Sequence, residues 1–503
     1  MKTQKMKKLL SILLAVLTIA STGVFAAFAD NVACEETAEE EIVIPENYTS
    51  ARKYVVPEVR NQGDAGLDWA FTVTDMLEIN AAVKGYEKAY KVDFSESYLN
   101  WYLTKNGGEN DFYNNFDECA YRLFPNPVIR NEKDYPLTAT DFEVKYSEYT
   151  HALYSDDDLK DYYSSKYAVS SYKKLTTEEQ IKKWIMENGS AGVTLTLNCI
   201  SNGVCCSFTD VKTKCNSATV IGWNDGFYGN GFETTSKVTG EVIRPEGNGA
   251  WLCKYSKGTE WGSSGYFWLS FEDASAEFFG LTLEKTNFNY VYSYGDTGFS
   301  ESSYSKNKQM KECNVFEVKH GSYLKSVTFA ASAEKAEAYI CIRELTEDCK
   351  TVESGGIVGE TYVDIDGAGI YTVEVPKSLN RRWGTYSVMV RFYIETPFVQ
   401  VDSDEISVPI KKNTTEATPG QSYLATSSGW TDFSQTGNFY INLNVTDITK
   451  PDTIEEDVEK TAEDDEIVEF ATFHDFITAL KNVIMNVVEF FRKIFSKIGI
   501  FGK

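Results

Sequence analysis

Four cysteines, Cys199, Cys205, Cys206 and Cys215, crowd one short stretch of a chain that holds ten, the others standing at 34, 119, 253, 313, 341 and 349. Thiolates grouped this way could ligate zinc or pair as disulfides. The spacing contains no C-x₂-C pair and no histidine stands near, so neither a metal nor any other cofactor is expected. The three histidines, His151, His320 and His474, are scattered and read as surface or packing residues. Asp68 opens a helical pattern running to Val83. A carboxylate is well tolerated there, because the free N–H groups and the dipole of a helix start favour an anion.

The elements that would position such groups follow from composition and periodicity. A chain of 503 residues exceeds what one hydrophobic core fills, so more than one domain is expected. Its 74 acidic against 49 basic residues give a net charge of −25, which repels phosphate backbones and argues against a nucleic-acid partner. Residues 1–29 combine early lysines, a long apolar run and Ala27-Phe28-Ala29, the layout of a secretory signal peptide of bacterial type. Export to the outside or the cell surface would permit disulfides. Residues 30–47 read as an acidic linker.

Residues 48–284 carry helical patterns first, at 68–83 and 177–187, and then β-type runs such as VTLTL, ATVIGW, GAWLCKY and GYFWLSF. That order predicts an α+β domain with a cleft between two lobes. Residues 285–447 hold short alternating strands divided by Gly, Ser and Asp turns, the pattern of an all-β sandwich. A second acidic linker, 448–469, leads to an amphipathic helix over 470–503, where Phe473, Ile477, Leu480, Ile484, Val487, Phe491, Ile494, Ile498 and Phe501 recur at helical spacing beside a basic face. Such a helix suits an anionic membrane surface or a partner helix, with packing onto its own domains as the alternative.

Residues 57–78, PEVRNQGDAGLDWAFTVTDMLE, resemble the active-site segment of papain-like cysteine peptidases, P-V-[KR]-N-Q-G-x-C-G-x-C-W-A-F followed by a helix. CNSATVIGWNDGF at 215–227 is similar to that family's histidine strand, and GAWLCKYSKGTEWGSSGYFWLSFED at 249–273 to its asparagine segment. The resemblance implies a two-lobed papain-like fold and places the nucleophile at Asp68, the histidine at Asn216 and its orienting asparagine at Tyr255. Of the family's working residues only Gln62, which the resemblance marks as an oxyanion-hole donor, is retained. A carboxylate is a weak nucleophile and an amide cannot shuttle a proton at neutral pH, so loss of hydrolysis is expected. Cys215 could approach the cleft, yet it has no base.

The stretch from Tyr294 through Ala331, and PGQSYLATSSGWTDFSQTGNFYINL at 419–443, resemble the lectin-like domain that follows the peptidase domain in some secreted bacterial proteins. Trp430, Tyr423, Trp383 and Tyr304 are candidate stacking platforms for sugars, with core or hairpin packing as their other reading. The sequence thus reads as an exported papain-like peptidase homologue, catalytically inactive, that binds peptide or cell-surface glycan as a surface or scaffold protein. The alternatives are an active peptidase with a non-standard nucleophile, and an adhesin whose lectin-like domain carries the binding.

Overall fold

Helix α1 spans Asp68–Val83, the predicted interval, and every residue from Asp68 to Ala81 is buried. A helix covered on all sides belongs in an interior. α1 packs against α2, Glu96–Thr104, on one side and against strands of a large sheet on the other. Helix α3, Glu178–Asn188, begins with a capping box in which Thr177 accepts from the Gln180 N–H and the Gln180 side chain accepts from the Thr177 N–H. The computed structural model describes residues 43–447 with interruptions, the longest at 105–119, 138–164 and 394–405. The expected signal peptide 1–29, the expected linker 448–469 and the expected amphipathic helix over 470–503 lie outside the described residues, as do Cys34, Cys119, the three histidines, Trp383 and the side chain of Tyr304.

Six longer strands form the sheet of the first domain: β1 Tyr167–Leu175, β2 Ala191–Thr196, β3 Cys215–Asn224, β4 Ala250–Lys254, β5 Tyr266–Ser270 and β6 Glu277–Lys285. They pair antiparallel in the order β1-β6-β2-β3-β4-β5. Ile181 and Ile185 of α3 join Val193, Val220, Trp223 and Phe267 in one core, and α1 lies in another. The last residues of the predicted acidic linker belong to this domain. Asn47–Thr49 pairs with β3, Trp223 donates from Nε1 to the Pro45 carbonyl at 3.0 Å, and Tyr48 stacks on the Trp223 ring. The acidic composition hid Ile44, which packs against the core beside Tyr48, the first residue of the predicted domain.

The second domain comprises β7 Tyr290–Tyr292, β8 Gln309–Val318, β9 Ser322–Ala331, β10 Ala336–Leu345, β11 Gly356–Ile365, β12 Gly369–Glu374, β13 Gly384–Tyr393, β14 Ser422–Thr426, β15 Gly429–Asp432 and β16 Ile441–Asp447. One sheet runs β11-β10-β13-β8-β14-β15 and faces the row β7-β16-β9-β12. Inward residues of alternating strands, among them Ile340, Val388, Phe316, Phe329 and Leu443, fill the space between them, as the period-two pattern predicts. The α+β domain followed by a β-sandwich is therefore present.

The two are not strung in simple succession. β12 pairs antiparallel with β1, Gly369 against Lys173 and Tyr371 against Ser171, so the sandwich row and the first domain's sheet form one continuous sheet. β1 lies in the half of the first domain that reads as mainly helical, which is why sequence periodicity passed over this join.

Candidate active site

Gly63 and Gly66 adopt φ of 57° and 65°, a left-handed region that costs a residue with a Cβ more than glycine. These turns fold the loop before α1 back on itself, so that the Leu67 N–H donates to Gln62 Oε1 at 2.6 Å. Gln62 and Asp68 are thereby held at one end of α1, both nearly buried, at 4% and 3% exposure. The Gln62 Nε2 group is buried and has no hydrogen-bond partner among the described residues.

Across from α1, β3 supplies Asn216 and the segment after β4 supplies Tyr255. The three positions that the papain-like resemblance singles out meet. Asn216 Nδ2 donates to Asp68 Oδ2 at 2.9 Å and to the Tyr255 hydroxyl at 3.2 Å, and the Tyr255 O–H reaches Asp68 Oδ2 at 3.4 Å. Asp68 Oδ1 accepts from the Trp69 N–H at 3.0 Å. The Tyr255 ring is fixed by Trp261 at 4.8 Å and, edge-on, by Phe267. Burial pushes the Asp68 carboxyl above the ordinary carboxylate range, and hydrogen bonds from Asn216, the Ser217 and Trp69 backbone and Tyr255 offset part of that rise.

The chemistry open to this cluster is narrow. Asn216 cannot carry a proton between nucleophile and leaving group, and Tyr255 does not hold an imidazole in place. What remains is a buried polar cluster, with an amide donor beside it that has no partner among the described residues.

A charged scaffold beneath the site went unread in the sequence. Asp75, two turns along α1, receives Lys254 Nζ on both oxygens at 2.6 Å, with the two side chains 5% and 2% exposed. Arg60 pairs with Glu78 and with Glu96, the latter at 2.6 Å, while Glu78 Oε1 accepts from the Phe94 N–H at 2.9 Å. The Arg60 pairs tie the segment leading to Gln62 onto α1 and α2. Asp75 and Glu78 inside an apolar helix, and Lys254 inside an apolar strand, are the signals that could have shown them, since buried charges come paired.

Among the described residues, the groups bonded to the Asp68 carboxyl include no cysteine. Cys199 and Cys205 form a disulfide, which removes two of the four clustered thiols from any metal-ligand set. Cys215 neighbours Asn216 on β3, and successive strand residues point to opposite faces, so its thiol is directed away from the Asn216–Asp68 contact. Burial pushes the Cys206 thiol up to about 12, the reverse of what an activated nucleophile needs. Among the candidate sugar platforms, Trp430 and Tyr423 pack together against Cys313, Cys341 and Met389, with Trp430 Nε1 donating to Glu353 at 3.1 Å.

Residues 44–278 match the papain family cysteine protease domain, and residues 291–446 match the lectin-like domain family. The chain carries a papain-family cysteine protease domain followed by a lectin-like domain. Among curated proteins the papain-family domain is similar to Cathepsin L 2 of Paramecium tetraurelia, 35% identical over 21% of this chain and 33% of that protein. It is also similar to Cathepsin L 1 of the same organism, 26% identical over 44% and 59%. The chain thus spans one third to three fifths of the length of these relatives. Both domains together superpose on the cysteine protease and lectin-like domains of Cwp84, described as a surface layer associated protein of Clostridium difficile, with a TM-score of 0.62 at 18% identity over 80% of this chain and 89% of that one. The clostridial protease Cwp84 after propeptide cleavage matches with the same score, over 78% and 97%. At that identity the likeness is one of fold.

Proposed function

We propose that the papain-family domain binds extended peptide in the groove beside Asp68 without cleaving it, and that the protein acts as an exported surface or scaffold protein. The observation that carries this reading is the pairing of a buried, unpartnered Gln62 Nε2 donor with a nucleophile position occupied by a carboxylate already engaged by Asn216 and by backbone N–H groups. A carbonyl oxygen of bound peptide satisfies the donor, and an amine or other cationic group suits the carboxylate. A peptide bond held there meets no thiolate and no imidazole to protonate the leaving amine. Export rests on the signal-like residues 1–29 and on the surface layer association stated for Cwp84. The helix 470–503 would then meet an anionic membrane surface or a partner helix.

The test is hydrolysis of a degenerate peptide library by the chain lacking residues 1–29. No turnover is expected, and the triple variant Asp68→Cys, Asn216→His, Tyr255→Asn should acquire hydrolysis that a thiol alkylating agent stops. Turnover by the unaltered chain that Asp68→Ala abolishes would establish the rival reading, an active peptidase with a different nucleophile.

A further inference from the structure

Three neighbouring strands of the lectin-like domain change character along the face they turn toward the papain-family domain. On β9 that face reads Ala330, Thr328, Ser326; on β12, Ile370, Thr372, Glu374; at β16, Tyr440 and then Asn442 and Asn444. The apolar ends, Ala330, Ile370 and Tyr440, join the core built on α1. Two to four residues on, the same face lines a cleft of about 490 Å³, whose other wall comes from β1, the end of β6 and the segment after it. That volume lies within the range of small-molecule sites, about 300–1,000 Å³.

The floor of this cleft is polar and organised. Asn444 is 1% exposed; its Nδ2 donates to Ser326 Oγ at 2.9 Å and Thr328 Oγ1 at 3.0 Å, and the Thr328 and Thr372 hydroxyls stand 2.8 Å apart. With both amide hydrogens used, Asn444 Oδ1 is buried without a partner among the described residues. A buried acceptor of this kind calls for a donor. Ser170, Asn287 and Glu374 add a hydroxyl, an amide and a carboxylate at the sides, and Phe288 adds apolar surface.

We propose that this junction cleft binds a short neutral or amino-bearing oligosaccharide, whose hydroxyl or amine hydrogens satisfy Asn444 and Glu374 while its apolar face meets the lining of Ala168, Val169 and Phe288. Hydroxyls, amides and one aromatic ring fit the alternating polar and apolar faces of a sugar. The β1–β12 pairing is confined to Ser171–Lys173 and Gly369–Tyr371, and beyond it Ala168–Ser170 and Thr372–Glu374 part to open the cleft. Glu284 and Glu374 outnumber Lys285 in the lining, which disfavours an anionic ligand. The site is separate from the Asp68 groove and stands whether or not that groove cleaves peptide.

Calorimetric titration of the chain with chitotriose, N-acetylchitotriose, cellotriose and, as an anionic control, trigalacturonate tests it. Saturable binding of at least one of the first three is expected. Asn444→Leu removes the acceptor and should weaken that binding about tenfold or more. Because Asn444 is buried, Ser170→Tyr, which fills the cleft from its half-exposed wall, is the second variant and should abolish binding with the melting temperature unchanged. Absence of binding by the three uncharged or amino sugars, binding of trigalacturonate alone, or binding that survives Ser170→Tyr would overturn the proposal.

Discussion

A carboxylate at position 68, where the papain-like resemblance would put a thiolate, behaves differently from one, and its protonation is the first quantity to measure. Its folded pKa is raised, so relative to an uncharged side chain it contributes stability that is complete below the unfolded pKa and is lost as pH rises through the folded one. Thermal melts of the unaltered chain and of Asp68→Asn, taken between about pH 4 and 8, should show the unaltered chain losing ground to the variant as pH rises. A pH-independent difference would mean that the hydrogen bonds from Asn216 and the backbone cancel the desolvation. Glu312 on β8 gives a sharper case. It is fully buried, both carboxyl oxygens lack partners among the described residues, and burial holds its pKa well above the carboxylate range. The sign is the same, so Glu312→Gln should flatten the decline in stability toward alkaline pH. Glu312→Leu should raise stability near neutrality by roughly 1–3 kcal/mol, read from urea unfolding.

Among the elements, α1 holds the cluster in place, and its charged side chains decide how firmly. Removing one partner of the buried Asp75–Lys254 pair strands the other, so Lys254→Met should cost about 3–5 kcal/mol, while the double variant Asp75→Leu, Lys254→Met should recover much of it. A double-mutant cycle by chemical denaturation gives the coupling. Sequence reading placed α1, α3 and most strands because each shows its period plainly: DWAFTVTDMLEINAAV has the length and apolar content of an interior helix, and AEAYICIREL alternates as a half-buried strand must. It also brought Asp68, Asn216 and Tyr255 to one place, since ordered motif matches carry register across distant segments. What it could not see were partnerships between segments without a shared pattern: Asp75 with Lys254, Arg60 with Glu78, and β1 with β12. Pairings of that kind are set by three-dimensional proximity and leave no periodic trace. The polar floor under Asn444 was missed for the same reason, because each strand contributes only two or three of its residues.

For the whole molecule, the β1–β12 seam makes the two domains parts of one sheet, and Ala330, Ile370 and Tyr440 of the lectin-like domain sit in the core of the papain-family domain. Domains joined by an exposed linker melt independently, whereas a shared core couples them. Scanning calorimetry should therefore show one transition for residues 43–447, and Ile370→Asp should split it into two. Separating the halves at the nominal boundary has a further result. Either fragment would be left with unpaired amides and carbonyls where the seam had been, at Ser171–Lys173 in one and Gly369–Tyr371 in the other, and such edges recruit whatever strand they next encounter. Each half thus acts as the other's guard against self-association, and isolated fragments should clump where the intact chain stays dispersed.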